Sequence, residues 1–184
     1  MGAARRGRRN HRAHCRGLSP RHILRRHEIV VDEWRHLGEE DASDADALIV
    51  PLSELRTNSA AWREWRGRLG VRLAAADNVE DLADDIARYA LVAVEFPNPS
   101  EGRGFSLGRL LRARLRFKGE LRAVGAAVKQ DKIFLLARCG FDSFELAAGE
   151  NPAEALGALH RYDVAYQPAE PHPAIKRQRF SSIG

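Results

Sequence analysis

The sequence predicts an α/β protein: a parallel sheet of about five βα units in a three-layer arrangement, with a partial βα barrel as the alternative. Two observations predict it. Short apolar runs alternate with helical patterns from residue 47 to residue 162, the signature of βα units feeding a parallel sheet. The run from Ala90 to Phe96 is almost wholly apolar, as in a strand covered on both faces. Five units are too few for a complete eight-stranded barrel.

The elements follow in order. Ile29-Val30-Val31-Asp32 and Trp34 to Leu37 read as an entry strand or short β-ribbon, and the acidic stretch 38–46 as a loop. Ala47 to Val50 is a strand stopped by Pro51, and Ser53 to Leu69 has helical spacing, with Trp62, Trp65 and Leu69 on one buried face. Val71 to Ala74 is a strand closing at Asp77. A helix over 78–89 starts with Asn78 as its cap and Glu80 and Asp81 in its first turn. The long strand 90–96 follows, then a helix over 106–117 with Ser106 as N-cap and Phe105 stapled onto Leu110. Strand 120–124, helix 127–138, strand 143–146 and helix 152–162 complete the series.

Charge divides the chain. Residues 1–27 hold nine arginines and no acid. Setting them aside leaves 21 basic against 25 acidic residues, so the body is about −4 despite an overall formal charge of +5. The expected organisation is a disordered basic tail over 1–27, one α/β domain over 28–168, and a flexible C-terminal tail over 169–184. The first tail has almost no apolar residue before Leu18 to build a core from. It lacks the apolar region that a secretory signal needs, and Arg6 stands where myristoylation needs Ser or Thr. Counterion release makes nucleic-acid binding by this tail physically possible, but a solvated charge run is the commoner state. Cys15 and Cys139 form no structural disulfide pattern and no metal-ligand spacing. No apolar run is long enough to span a membrane. A reduced, cytoplasmic protein is expected.

The residues with chemistry cluster in 95–142. Gly102-Arg103-Gly104-Phe105-Ser106 joins the long strand to a helix. Helix N-termini offer amide hydrogens and the positive end of the dipole to oxyanions, and the Arg103 guanidinium forks onto such groups. Glu95, at the strand end, could orient or protonate a guest, with Arg109 or Arg122 completing a positive field. Asp77, Gly125 and Asp142 are expected on the same strand-end edge, where ligands of parallel α/β folds bind. Arg109, Arg112 and Arg116 share a helix face, with no acid between Glu101 and Glu120. Such a face calls for an acidic partner or for acids from elsewhere in the chain. Cys139, with Arg138 before it and Gly140 as the residue after the helix, is a candidate redox thiol. His160 has no Ser or Cys partner pattern.

These same stretches resemble a bacterial family of unknown function. The resemblance spans roughly Ile29 to Gln167. It is carried by Gly102-Arg103-Gly104-Phe105-Ser106-Leu107, Arg109-Leu110-Leu111-Arg112, Lys118 to Gly125 and Arg138-Cys139-Gly140-Phe141-Asp142, with Asp32, Trp34, Pro51 and Val71 as earlier landmarks. The family is often catalogued as an oxidoreductase of sulfite reduction, a label that rests on genes neighbouring those for sulfite reductase and phosphoadenylyl-sulfate reductase. The resemblance therefore implies an accessory role in sulfate and sulfite reduction, with sulfite reductase or another enzyme of that route as partner. It assigns no catalytic residues and no cofactor. In relatives an acid is expected near 126 and Arg-Asp-Gln near 129–131, where this chain has Ala126-Ala127-Val128-Lys129-Gln130-Asp131. The sequence has no cluster-type cysteine set and no nucleotide fingerprint, so any redox step would draw on a borrowed cofactor. The rival expectations are a non-enzymatic docking partner using the arginine face and nucleic-acid binding by the tail.

Overall fold

The computed structural model describes residues 21–42, 45–100 and 102–160. One sheet of eight strands organises it: β1 (His22–Arg25), β2 (Glu28–Val31), β3 (Arg35–His36), β4 (Ala47–Pro51), β5 (Arg68–Leu73), β6 (Leu91–Glu95), β7 (Glu120–Val124) and β8 (Ser143–Phe144). Their spatial order is β2-β1-β8-β7-β6-β5-β4-β3. Strands β3 to β8 are parallel and strictly sequential, and the β1–β2 hairpin adds antiparallel to β8. Five α-helices accompany them: α1 (Leu52–Thr57), α2 (Ser59–Glu64), α3 (Arg103–Ala113), α4 (Gln130–Arg138) and α5 (Pro152–His160).

That order replaces the three-layer arrangement with the alternative, a curled half-barrel. A three-layer sheet needs a point where strand order reverses, sending later crossovers to the other face. Here every step runs the same way, so right-handed crossovers keep the helices on one side. The curl itself follows from chain length. β2 and β3 are the two ends of the sheet, yet only residues 32–34 separate them. Flat, seven interstrand steps of about 4.8 Å would hold them roughly 34 Å apart, whereas four residues of chain reach at most about 14 Å. The sheet has to bend until its ends meet.

Alternation along the strands splits the apolar residues between two faces. Leu48, Val50, Val71, Leu73, Val92, Val94, Leu121 and Ala123 meet Leu107, Leu111, Ile133 and Leu136 from the helices. The concave face carries a small cluster: Trp34, Ala47, Ile49, Leu91, Ala93 and Val124. Gly70 makes room for Trp34, since a Cβ there would lie 3.2 Å from its ring. The apolar residues 91–94 of β6 are thus buried on both faces, by helices outside and by the sheet's own concavity inside.

Several local expectations are corrected. The helix expected over 53–69 breaks at Asn58, and Leu69 lies in β5 rather than beside Trp62 and Trp65. Those two indoles pack on each other, 6.0 Å apart, at the margin of the core. The helix expected over 78–89 is two 3₁₀ turns, Val79–Leu82 and Ile86–Arg88, although Asn78 does cap the first by accepting the Glu80 N–H. The helix expected at Ser106 begins at Arg103, and the one expected at 127 begins at Gln130. Strand β8 is two residues long instead of four. β1 falls within the stretch expected as tail: Ile23 and Leu24 are buried, a signal hidden between arginines. The remaining tail readings, residues 1–20 and 169–184 with Cys15, lie outside the described residues. Among the described residues no helix is long and apolar enough to cross a membrane.

At Gly125 the backbone is left-handed (φ 111°), and a Cβ would sit 2.7 Å from the Phe96 carbonyl oxygen. Gly125→Ala should therefore lower stability by about 1–3 kcal/mol, read as a fall in the urea midpoint at unchanged m-value.

Candidate functional site

Glu95 ends β6, and after Phe96 the chain turns into α3. This helix starts on Gly102, and among the described residues it has no side-chain cap and no acid in its first turn to meet the positive end of its dipole. Gly104 lets the helix approach the strand end, since a Cβ there would meet the Phe96 ring at 2.5 Å. Phe105 packs edge-on against Phe96 at 5.3 Å rather than stapling onto Leu110, which is exposed. Ser106 is not the cap; it lies exposed within the first turn, and Arg103 and Arg109 are exposed as well. Glu95 thus ends the strand, Arg103 and Ser106 lie in the first turn of the helix that follows, and Arg109 lies further along it.

Other candidates are placed differently. Arg112 is no docking residue. Its side chain is buried and donates to the carbonyls of Phe117, Gly119 and Gly140 and to Asp142 at 3.0 Å. Burial pulls the Arg112 guanidinium below its ordinary range, against the upward pull of Asp142. Arg116 is exposed in left-handed backbone (φ 51°). Arg122 is wholly buried in the sheet interior and takes no part in a field at the Arg103 corner. Asp142 precedes β8, so it sits where the parallel strands begin, opposite the expected edge. There it accepts the Leu121 N–H at 2.8 Å, and burial pushes its carboxyl up against the pull of Arg112. Asp77 closes the turn after β5 by accepting the Ala74 N–H. At Cys139 burial pushes the thiol up, outweighing Arg109 and Arg138. That burial works against a reactive thiolate. Gly140, with φ 96°, does end α4 as expected.

The sequence reading missed the constellation on the concave face. Asp32 accepts Arg122 on both oxygens, at 2.9 and 3.0 Å, and Arg21 at 2.8 Å. Arg21 also reaches Glu39 (2.8 Å), Glu145 (3.3 Å) and the Trp34 carbonyl. Glu145 in turn meets His36 Nε2 at 2.9 Å. At the other end Arg122 donates twice to Glu120, which also takes the Ser143 hydroxyl. Opposite charges alternate along Glu145, Arg21, Asp32, Arg122 and Glu120, with the His36 ring bonded to the Glu145 end. Arg21, Asp32, His36, Glu39 and Glu145 all lie at the edge where the parallel strands end. Burial pushes the Glu145 carboxyl up, but His36, Arg21 and Arg122 outweigh it and hold it below the usual carboxylate range. Burial lowers Arg21, yet Glu145, Asp32 and Glu39 together hold it above its ordinary value.

Chemically the Glu145–His36 pair is an oriented imidazole, with Nε2 tied to the carboxylate and Nδ1 buried and, among the described residues, without a hydrogen-bond partner. Only the curl brings its members together: β3 and β8 are the first and last parallel strands. A local signal existed in the Asp32-x-Trp34-x-His36 alternation, which puts three side chains on one face, but nothing local points to Glu145. Among the described residues no group of His, Cys, Asp and Glu could hold a metal ion.

A family profile described as "Bacterial protein of unknown function (DUF934)" matches residues 70–175. No curated protein sequence matches the chain.

Arg122→Met leaves Asp32 buried with one cation fewer and should cost about 3–5 kcal/mol; the double variant Arg122→Met, Asp32→Asn should recover part of that in a denaturant cycle. Glu145 sits below its unfolded value, so its contribution is present above about pH 4.3 and is lost as pH falls through the folded value. Glu145→Gln should therefore flatten the decline in urea midpoint measured between about pH 5 and pH 3.

Proposed function

We propose that this chain, which belongs to the bacterial family of unknown function named above, is an accessory protein of assimilatory sulfate and sulfite reduction that holds a small oxyanion where β6 gives way to α3. One observation carries the reading: among the described residues, α3 starts on a glycine with neither a capping side chain nor an acid in its first turn. Helix ends usually recruit such groups to satisfy free amides and the dipole. Their lack, beside the exposed guanidinium of Arg103, leaves a position suited to sulfite, sulfate or a sulfated nucleotide. Glu95 would orient or protonate the guest, and Arg109 would add positive field. The family resemblance supplies the pathway, a cytoplasmic setting and sulfite reductase as partner. Any electron transfer would use a cofactor that the partner carries, and the oxyanion-binding chain would be the oxidoreductase's helper component.

A second reading has its own support. Arg109, Leu110 and Arg116 are exposed together on or just beyond α3, a combination that suits docking onto an acidic partner surface without any chemistry of its own.

Calorimetry and thermal shift against sulfite, sulfate, adenylyl sulfates and flavins test the first reading. Arg103→Ala should weaken oxyanion binding about tenfold or more, the effect of losing a charge-assisted hydrogen bond, with the variant's own unliganded melting point as the baseline. Failure of every oxyanion to shift the wild-type melting point would refute it. Retained co-purification with sulfite reductase that is lost in Arg109→Glu, Arg116→Glu would favour docking instead.

A further inference from the structure

At the opposite edge of the half-barrel, where the parallel strands begin, Arg25, Arg26, Glu28, Val30 and Glu120 line an open cavity of about 410 Å³. That volume falls within the range of small-molecule sites. The place is defined by pairing. Arg25, the last residue of β1, lies opposite Glu28 in β2 and Ser143 in β8, and Glu120 is the first residue of β7. A two-residue turn joins β1 to β2, with Arg26 (φ 48°) and His27 (φ 69°) both left-handed. Hairpins of this kind normally use Asn-Gly, so the chain places a bulky cation here in backbone that disfavours it. The Arg26 N–H donates to the Asp142 carbonyl at 2.9 Å, anchoring the turn under β8.

The charged groups lining this cavity retain hydrogen-bonding capacity. Glu120 Oε1 receives Arg122 and Ser143, but the cation nearest Oε2 is Arg25 at 3.6 Å, outside hydrogen-bond reach. Among the described residues the side chains of Arg26 and Glu28 make no hydrogen bond or ion pair. Two guanidiniums and two carboxylates thus face one volume and cancel in net charge. Behind them Arg122 lies on Glu120, and Asp142 and Arg112 lie within electrostatic reach of Arg26, so both signs are present around the cavity and a guest bearing both signs satisfies both sets of groups.

We propose that this cavity binds a small amphoteric molecule of the α-amino-acid class. Arg26 and Arg25 take its carboxylate, Glu28 and the open oxygen of Glu120 take its ammonium, and Val30 offers the apolar wall for its side chain. The site does not rest on the oxyanion reading, which concerns the other edge of the sheet.

The test uses the full chain with a panel of the common α-amino acids as probes, and with acetate and methylammonium as single-charge controls. At least one amino acid should raise the melting point while neither control does. Arg26→Gln and Glu28→Gln should each weaken that binding about tenfold or more. Both residues are exposed, and unchanged unliganded melting points verify that the fold is kept. Shifts in the wild-type amide resonances of residues 25–28 on titration locate the guest independently of the variants. No response to any amino acid, equal responses to acetate, or wild-type affinity in both variants would each overturn the proposal.

Discussion

The structure depends on one buried ion pair. Asp32 stands in the three-residue link that joins the two ends of the sheet, and Arg122 rises from the middle of it, both side chains fully enclosed. A link so short is possible only if the sheet has curled, and the pair rewards only that curled state. Buried pairs are poor sources of net stability, because desolvation offsets attraction. Asp32 and Arg122 meet only when the sheet has curled, whereas the Arg122–Glu120 contact lies within β7 and needs no curl. The pair acts on which sheet forms more than on how stable it is.

Around it the concave face is organised by charge. In many parallel folds the second face is filled by helices or by layered aliphatic side chains. Here a small apolar cluster around Trp34 shares that face with Arg21, Arg122 and four carboxylates. Each ion has at least one opposite neighbour, which offsets the desolvation that burial imposes on it. The same alternation shapes the titration of the mouth: Glu145 stays ionised because two cations and an imidazole share it.

The helix face follows a different rule. Two arginines at the end of α3 meet acids from distant segments: Arg112 meets Asp142, and Arg114, just past the helix, meets Glu80. Arg112 fails as a docking residue for that reason, while Arg109 and Arg116 stay exposed. Cys139 shows the same dependence. Its arginine neighbours were visible in the sequence and its burial was not, and burial wins.

The sequence by itself determined the alternation of strands with helical segments, the glycine that ends α4 at 140 and the Asn78 cap, because each depends on contacts within a few residues. It could not determine how far the sheet would curl. Apolar runs report that a strand is covered, not whether a helix or the sheet's own far side covers it. Tertiary structure alone decided that Asp32 meets Arg122 and that His36 meets Glu145, 109 residues away. The physical reason is closure: three linking residues force the sheet ends together, and charges far apart along the chain become neighbours only once that has happened.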